Sequence, residues 1–495
     1  MTENRKDRRV RAALLGLIVA VAFTSRLYMA ISTPLVYDEY QWIALADSVD
    51  LRPSHFNLPL HGDQHPPGQV YWAALGTLTF GQNLLGYRAP SVILGTIAVV
   101  LVYFLGKLLS GPTSGLLAAF LLATNEYHIG ISRLCTEKNY LTFALMGLLL
   151  FEYALRNPST RRFLALGAAM GLGILTKQAL VLWVPVFGFE ILRRRETRSL
   201  WRHPAPWCAV LVLLLIVSPD LLWNVKASSF GDSSGSLGLA YQLSRLTLGA
   251  WSWGPFALYL RPLYFLGVES AISEYASMTS ISGTIILMGT AASVYLFRTP
   301  LARFLQIVGF GSFLFFCIFT KPAGEFWWAD LTILPFIVLT AAVLGKLSGA
   351  WNAIGVVVLG AMLVCSWNLV RTRDNYFPIE WGSPPKYVIQ AYKNYQRSLV
   401  VTFRERDHLK LCTSGTFELP ACDFYETSLN FYEKYLVSIE SRGTVSGVQD
   451  EGWPQISLPM LPKEKAWVQT QLERFRGFLS KGGSPLSQTK TAERV

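Results

Sequence analysis

Long apolar runs separated by short polar ones recur along this chain from Ala12 to Val370. Crossing a hydrocarbon core of about 30 Å takes about 20 helical residues, and about eleven runs of that kind are present. Lipid offers no partner for backbone N–H and C=O groups, so helices are predicted for all of them. They fall near 12–31, 89–109, 113–130, 139–155, 162–177, 178–192, 205–223, 281–297, 303–319, 328–345 and 351–370. Shorter amphipathic stretches interrupt the pattern. "YDEYQWIALADSV" carries apolar residues at Trp42, Ile43, Leu45, Ala46 and Val49, and "GQVYWAALGTLTFG" follows the paired prolines of "HGDQHPP". Both predict helices lying along the membrane surface.

Composition agrees with the pattern: of 495 residues, 52% are hydrophobic, 13% aromatic and 15% charged, far from the balance of a soluble domain. The first run follows "MTENRKDRRVR" without a small-residue cleavage site, which predicts a retained signal-anchor with a cytoplasmic N-terminus. Alternating from there, Lys107, Arg156, Arg161, Arg162, "RRRETR", Arg202, Arg298, Arg303 and Lys346 all fall inside. That asymmetry accounts for most of the net charge of +12 and points to anionic headgroups, with no call for nucleic acid. The expected class is an all-α polytopic membrane protein, with residues 1–370 forming the transmembrane body.

An odd number of spans leaves 371–495 outside as a small extracytoplasmic domain. Cys412 and Cys422, in "CTSGTFELPAC", lie within reach of each other there and an oxidising compartment would let them pair. Cys135, Cys208, Cys317 and Cys365 sit in or beside spans and read as small apolar fillers.

The candidate chemistry gathers on the outside. The first outer loop, 32–88, opens with two adjacent carboxylates, Asp38 and Glu39. In that position a carboxylate either takes a proton from an attacking hydroxyl or holds a cation that organises a phosphate leaving group. The plainer alternative is a cap on the surface helix. His61, Asp63 and His65 follow at alternating spacing, a set able to ligate a divalent metal together with Asp38, although surface loops collect polar residues anyway. The next outer loop holds Glu126, His128, Arg133, Glu137 and Lys138. Arg133 stands out because an ionisable residue this close to a bilayer core needs a cavity or a partner. Lys177, Arg261 and Lys321 also fall outside, against the positive-inside trend. A lipid-linked phosphate would explain them together, while each alone is explained by snorkelling. The sequence has no phosphate-cradling P-loop or dinucleotide fingerprint, so no nucleotide cofactor is expected.

As an ordered series these segments resemble the GT-C glycosyltransferases that use polyprenyl-phosphate sugars, in the branch of protein O-mannosyltransferases and lipid A aminoarabinose transferases. "YDEYQWIALA" matches the family's Asp-Glu pair after the first span, with Asp38 on its catalytic aspartate and Glu39 beside it. "HPPGQVYWAAL" resembles its next motif and puts His65 where the aminoarabinose branch has a phosphate-contacting lysine. "GYRAPS" is similar to its second-span entry, and "SRLCTEKNYLTF" to its fourth, with Lys138 in the slot of the family's acid and Glu137, one position away, as the candidate second acid. "GILTKQALVLW" places Lys177 on the family's lysine, with Gln178 where the family has glycine, and "TKPAGEFWWADLTILP" supplies Lys321. The resemblance implies a GT-C-like fold and a polyprenyl-phosphate-linked sugar donor held by Lys321, Arg261, Lys177, His65 and Arg133. It also implies a hydroxyl-bearing acceptor and inversion at the anomeric carbon. The competing readings are a ligase or polymerase using a polyprenyl-pyrophosphate donor and a transporter or flippase, whose charges belong at mid-membrane.

Overall fold

A computed structural model describes residues 5–32, 39, 42, 45–46, 49, 66–81, 83–229, 254–259, 280–319, 330–347, 360–365 and 367. Every regular element among them is helical. In chain order these are α1 (Arg5–Ser32), α2 (Gly68–Phe80), α3 (Leu84–Ser110), α4 (Pro112–Ala123), α5 (Glu126–Ser132), α6 (Tyr140–Arg156), α7 (Thr160–Thr176) and α8 (Trp183–Arg193). They continue with α9 (Pro204–Ser229), α10 (Gly254–Tyr259), α11 (Ser280–Leu296), α12 (Pro300–Ile318) and α13 (Ile333–Leu347). Tight 3-10 turns at Glu137–Asn139, Gln178–Leu182 and Arg195–Arg202 join neighbours.

Among the described residues, five helices are long and apolar enough to cross a membrane: Arg5–Ile31, Leu85–Ser110, Pro204–Leu222, Pro300–Ile318 and Asp330–Leu347. The chain is an integral membrane protein. The expected C-terminal domain, 371–495, lies outside the described residues.

The run expected as one span at 113–130 is two helices. Thr124 Oγ1 turns back to the Phe120 carbonyl at 2.9 Å, and Asn125 Oδ1 accepts from the His128 N–H at 2.9 Å as the N-cap of α5. An Asn cap satisfies backbone donors that an uninterrupted helix would have used, so the polar pair stops α4 and starts a new helix. Arg26 of α1 fixes this break. Fully buried, it donates to the Leu122 carbonyl at 3.1 Å and the Ala123 carbonyl at 3.3 Å, and lies 2.7 Å from His128 Nδ1. A cation on the last carbonyls of α4 offsets the negative end of that helix.

The core is apolar and aromatic. α3 packs against α1, α2, α4 and α6, α7 against α6 and α9, and α13 against α4, α11 and α12. Phe151, Phe187 and Phe304 cluster with centroids 4.5–5.5 Å apart, Phe151 stacked on Phe187 and Phe304 set at an angle to both.

Glycines permit the approaches that bring α2 to its place. A Cβ on Gly68 would stand 2.6 Å from the Leu175 carbonyl oxygen and 2.8 Å from Thr176 Cα, so the first turn of α2 rests on the backbone at the end of α7. Backbone cannot move aside as a side-chain tip can, and overpacking of this kind costs about 1–3 kcal/mol. Gly68→Val is therefore expected to lower the melting temperature in detergent, while Gly16→Val, with nothing within 4 Å, leaves it nearly unchanged. Equal melting temperatures for the two variants would show that this crossing is loose.

Candidate active site

Buried ionisable groups are the costly features of such a bundle, and they collect at one of its ends. Asn83 caps α3 by accepting from the Gly86 N–H at 2.9 Å, and Arg88 follows in the second turn. Its guanidinium grips Glu39 with both arms, Nε to Oε1 at 2.7 Å and Nη2 to Oε2 at 2.6 Å, with neither side chain exposed. Nη1 donates to the Ala30 carbonyl at 2.7 Å, and the Cys135 N–H donates to Glu39 Oε1 at 2.8 Å. One carboxylate thus ties the first loop to α1, α3 and the segment after α5, in the planar two-bond geometry that suits arginine. Trp42 and Ala46 pack with Val70, Ala73 and Ala74 of α2, Tyr87 and Cys135, so both surface segments are wedged onto the same end.

Arg133 follows α5 and is also buried. Burial, then Arg88, pushes its guanidinium down to about 9 while Glu39 opposes the shift, so it stays charged at neutral pH.

The turn Glu137–Asn139 brings a second group together. Lys177, just past the end of α7, donates to Glu137 Oε1 at 3.0 Å. Lys138 lies 3.8 Å from that oxygen and 2.9 Å from Asp330 Oδ2. Tyr140 donates its hydroxyl to the other Asp330 oxygen, and its ring lies under Lys177 with Nζ 5.4 Å from the centroid. Asn139 holds the turn in place, donating to Gln69 Oε1 at 2.8 Å and Ser91 Oγ at 3.0 Å. On the far side, Trp72 of α2 bonds Thr176 Oγ1 at 3.1 Å and stacks on Phe143. An apolar cavity of about 290 Å³ opens there between α2 and α7, along Trp72, Leu75, Leu78, Leu172 and Leu175. A charged end beside an apolar slot is suited to a ligand with an anionic head and a hydrocarbon tail.

Of the residues expected from sequence, Glu39, Arg133, Glu137 and Lys177 are described, and all four are buried at this end. Asp38, His61, Asp63, His65, Arg261, Lys321, Cys412 and Cys422 lie outside the described residues. Among the described residues no three His, Cys, Asp or Glu side chains converge as a metal set. Sequence reasoning named Lys138 in the second outer loop without giving it a role, and passed over Arg88 and Asp330 as site residues. Asp330 carried a usable signal, since an acid two residues inside the run 328–345 demands a partner.

Comparison with known proteins agrees with this picture. Residues 64–223 match the sequence model of the dolichyl-phosphate-mannose-protein mannosyltransferases. Over 162 residues the chain is 36% identical to an undecaprenyl phosphate-alpha-4-amino-4-deoxy-L-arabinose arabinosyl transferase of Pseudomonas paraeruginosa, a match spanning 31% of this chain and 29% of that relative. In three dimensions it is similar to ArnT of Cupriavidus metallidurans bound to undecaprenyl phosphate, with a TM-score of 0.52 at 17% identity over 93% of this chain and 84% of that one. It is similar as well to the archaeal oligosaccharyltransferase AglB of Archaeoglobus fulgidus in complex with an inhibitory peptide and a dolichol-phosphate, with a TM-score of 0.53 at 14% identity over 80% and 60% of the two chains. The chain has the GT-C glycosyltransferase fold. Within that class, residues 64–223 carry the likeness to the lipid-phosphate-sugar branch read from its motifs.

Proposed function

We propose that this protein is a membrane glycosyltransferase that moves a sugar from a polyprenyl-phosphate donor to an acceptor hydroxyl on the outer face of a bacterial inner membrane. The observation that carries the reading is the clustering of Arg88, Arg133, Lys138 and Lys177, all buried, at one end of the bundle, inside the stretch that matches the mannosyltransferase model. Glu39, Asp330 and Glu137 meet Arg88, Lys138 and Lys177, and a charged end of this kind beside an apolar cavity suits a ligand with an anionic lipid head.

In this reading the donor phosphate is held by Lys177 and Arg133, joined by Lys321, Arg261 and His65 from the other outer segments. Asp38 takes the acceptor proton as the acceptor oxygen attacks C1 from the face opposite the phosphate, which inverts the anomeric centre. Glu39 is the anchor, because its bonds to Arg88 and the Cys135 N–H fix the backbone next to Asp38. Glu137 is the second acid. The donor carries its own leaving group, so no nucleotide is needed. The N-terminus is cytoplasmic in this reading, supported by the basic flank of α1, and 371–495 forms an outer domain closed by Cys412 and Cys422, supported by its polar composition.

The test is a donor panel with the full chain in lipid nanodiscs. Polyprenyl-phosphate pentoses and hexoses are offered beside nucleotide sugars and polyprenyl-pyrophosphate sugars, with protein, glycolipid and polysaccharide acceptors. Turnover confined to the monophosphate donors is expected. Turnover of the pyrophosphate donors alone would move the protein to the ligase class.

A further inference from the structure

Glu137 Oε1 stands between two ammonium groups, 3.0 Å from Lys177 Nζ and 3.8 Å from Lys138 Nζ. Asp330 holds Lys138 from the other side at 2.9 Å and is itself fixed by the Tyr140 hydroxyl. The four charges sum to zero, and all four side chains are buried or nearly so. A further anion can enter such a group only by displacing one already there, since two like charges in a dry site repel strongly. Asp330 has its oxygens committed to Lys138 and Tyr140, whereas the Oε1 of Glu137 occupies the space between the lysines. Glu137 is also the more accessible of the two acids, its side chain 6% exposed against 0% for Asp330.

We propose that an oxygen of the donor phosphate takes the place of Glu137 between Lys138 and Lys177 during turnover, so that the two lysines together hold the leaving group and Asp330 is the positioning residue for Lys138. The inference rests on the reading of the donor as a polyprenyl-phosphate sugar. It explains why two lysines are present. A phosphodiester carries one negative charge, as a carboxylate does, so the exchange itself is neutral. When the C1–O bond breaks, its electron pair stays on the phosphate oxygen while the acceptor oxygen bonds C1 and gives its proton to Asp38. The leaving phosphate then carries a second negative charge, and a second ammonium is there to meet it. Burial pushes the Lys138 ammonium down to about 8; Asp330 and Glu137 oppose that shift and Lys177 adds to it. Its charge therefore responds when one of these neighbouring charges moves.

The probe is undecaprenyl phosphate, with binding measured to the full chain in nanodiscs. Glu137→Gln removes the competing charge and is expected to bind about tenfold more tightly than wild type. Glu137→Asp keeps the charge and is expected to bind as wild type does. Lys138→Met and Asp330→Asn are expected to weaken binding by about tenfold each. In Asp330→Asn the alkaline limb of turnover also moves to lower pH, because a carboxylate that raises Lys138 is gone while Lys177, Glu137 and Tyr140 still face it. A merely structural Asp330 would lower the amount of active protein and leave that limb in place. If wild type binds the probe and Glu137→Gln binds it equally or more weakly, the exchange is wrong and the donor reading stands. If wild type does not bind it at all, both fall. Should Glu137→Gln fail to fold, the weakening by Lys138→Met decides the matter, and wild-type affinity in that variant overturns the proposal.

Discussion

Asp38→Asn is expected to leave the protein folded and to lower sugar transfer by about 10²- to 10⁴-fold, the range that a positioned general base contributes. The substitution is isosteric and removes the negative charge together with the ability to accept a proton. The neighbouring anchor is untouched, because Glu39 keeps both bonds from Arg88 and the one from the Cys135 N–H. The loss should fall on kcat, with the donor KM little changed, since phosphate binding is assigned to cations and not to Asp38. Melting temperature and elution profile are the folding controls. An Asp38→Asn variant that transfers sugar at the wild-type rate would remove Asp38 from the chemistry.

Arg88→Met has the largest expected effect on stability. It takes both guanidinium bonds from the buried Glu39 carboxylate, which keeps the Cys135 N–H, and removes the donor to the Ala30 carbonyl. Breaking one side of a buried ion pair costs about 3–5 kcal/mol, comparable with much of a protein's net stability. The variant should express poorly, melt at a clearly lower temperature and transfer no sugar. Combining it with Glu39→Gln removes the orphaned charge, so the double variant should recover part of the lost stability. A double variant less stable than either single one would mean that the two residues act independently.

How far the sequence alone reaches can be judged from these same residues. The helices were legible because the bilayer imposes one solution on a long apolar run, and helices stand at 140–156, 160–176, 300–318 and 333–347 where such runs were expected. The break at Thr124–Asn125 was hidden inside an apolar stretch, since one cap residue changes composition hardly at all while it redirects the backbone. The site was legible only in part. Arg133, Glu137 and Lys177 announce themselves as charges beside apolar spans. Their pairing does not, because Glu39 meets Arg88 across 49 residues, Glu137 meets Lys177 across 40, and Tyr140 meets Asp330 across 190. Helical periodicity reports neighbours three and four positions apart and is silent on contacts of that range. Glu39 illustrates the difference. Its place beside Asp38 suggested shared chemistry, and its two-armed bond with Arg88 gives it a structural duty that no local pattern displayed.

In the proposed reaction the C1–phosphate bond of a lipid-linked sugar is broken at this site. The most direct measurement follows a doubly labelled donor, with label in both sugar and polyprenyl chain, in sealed proteoliposomes supplied with acceptor. Free polyprenyl phosphate and glycosylated acceptor are expected to appear one for one, with inverted anomeric configuration. Intact donor crossing to the other leaflet with both labels still joined would contradict it and make the protein a carrier of lipid-linked sugars.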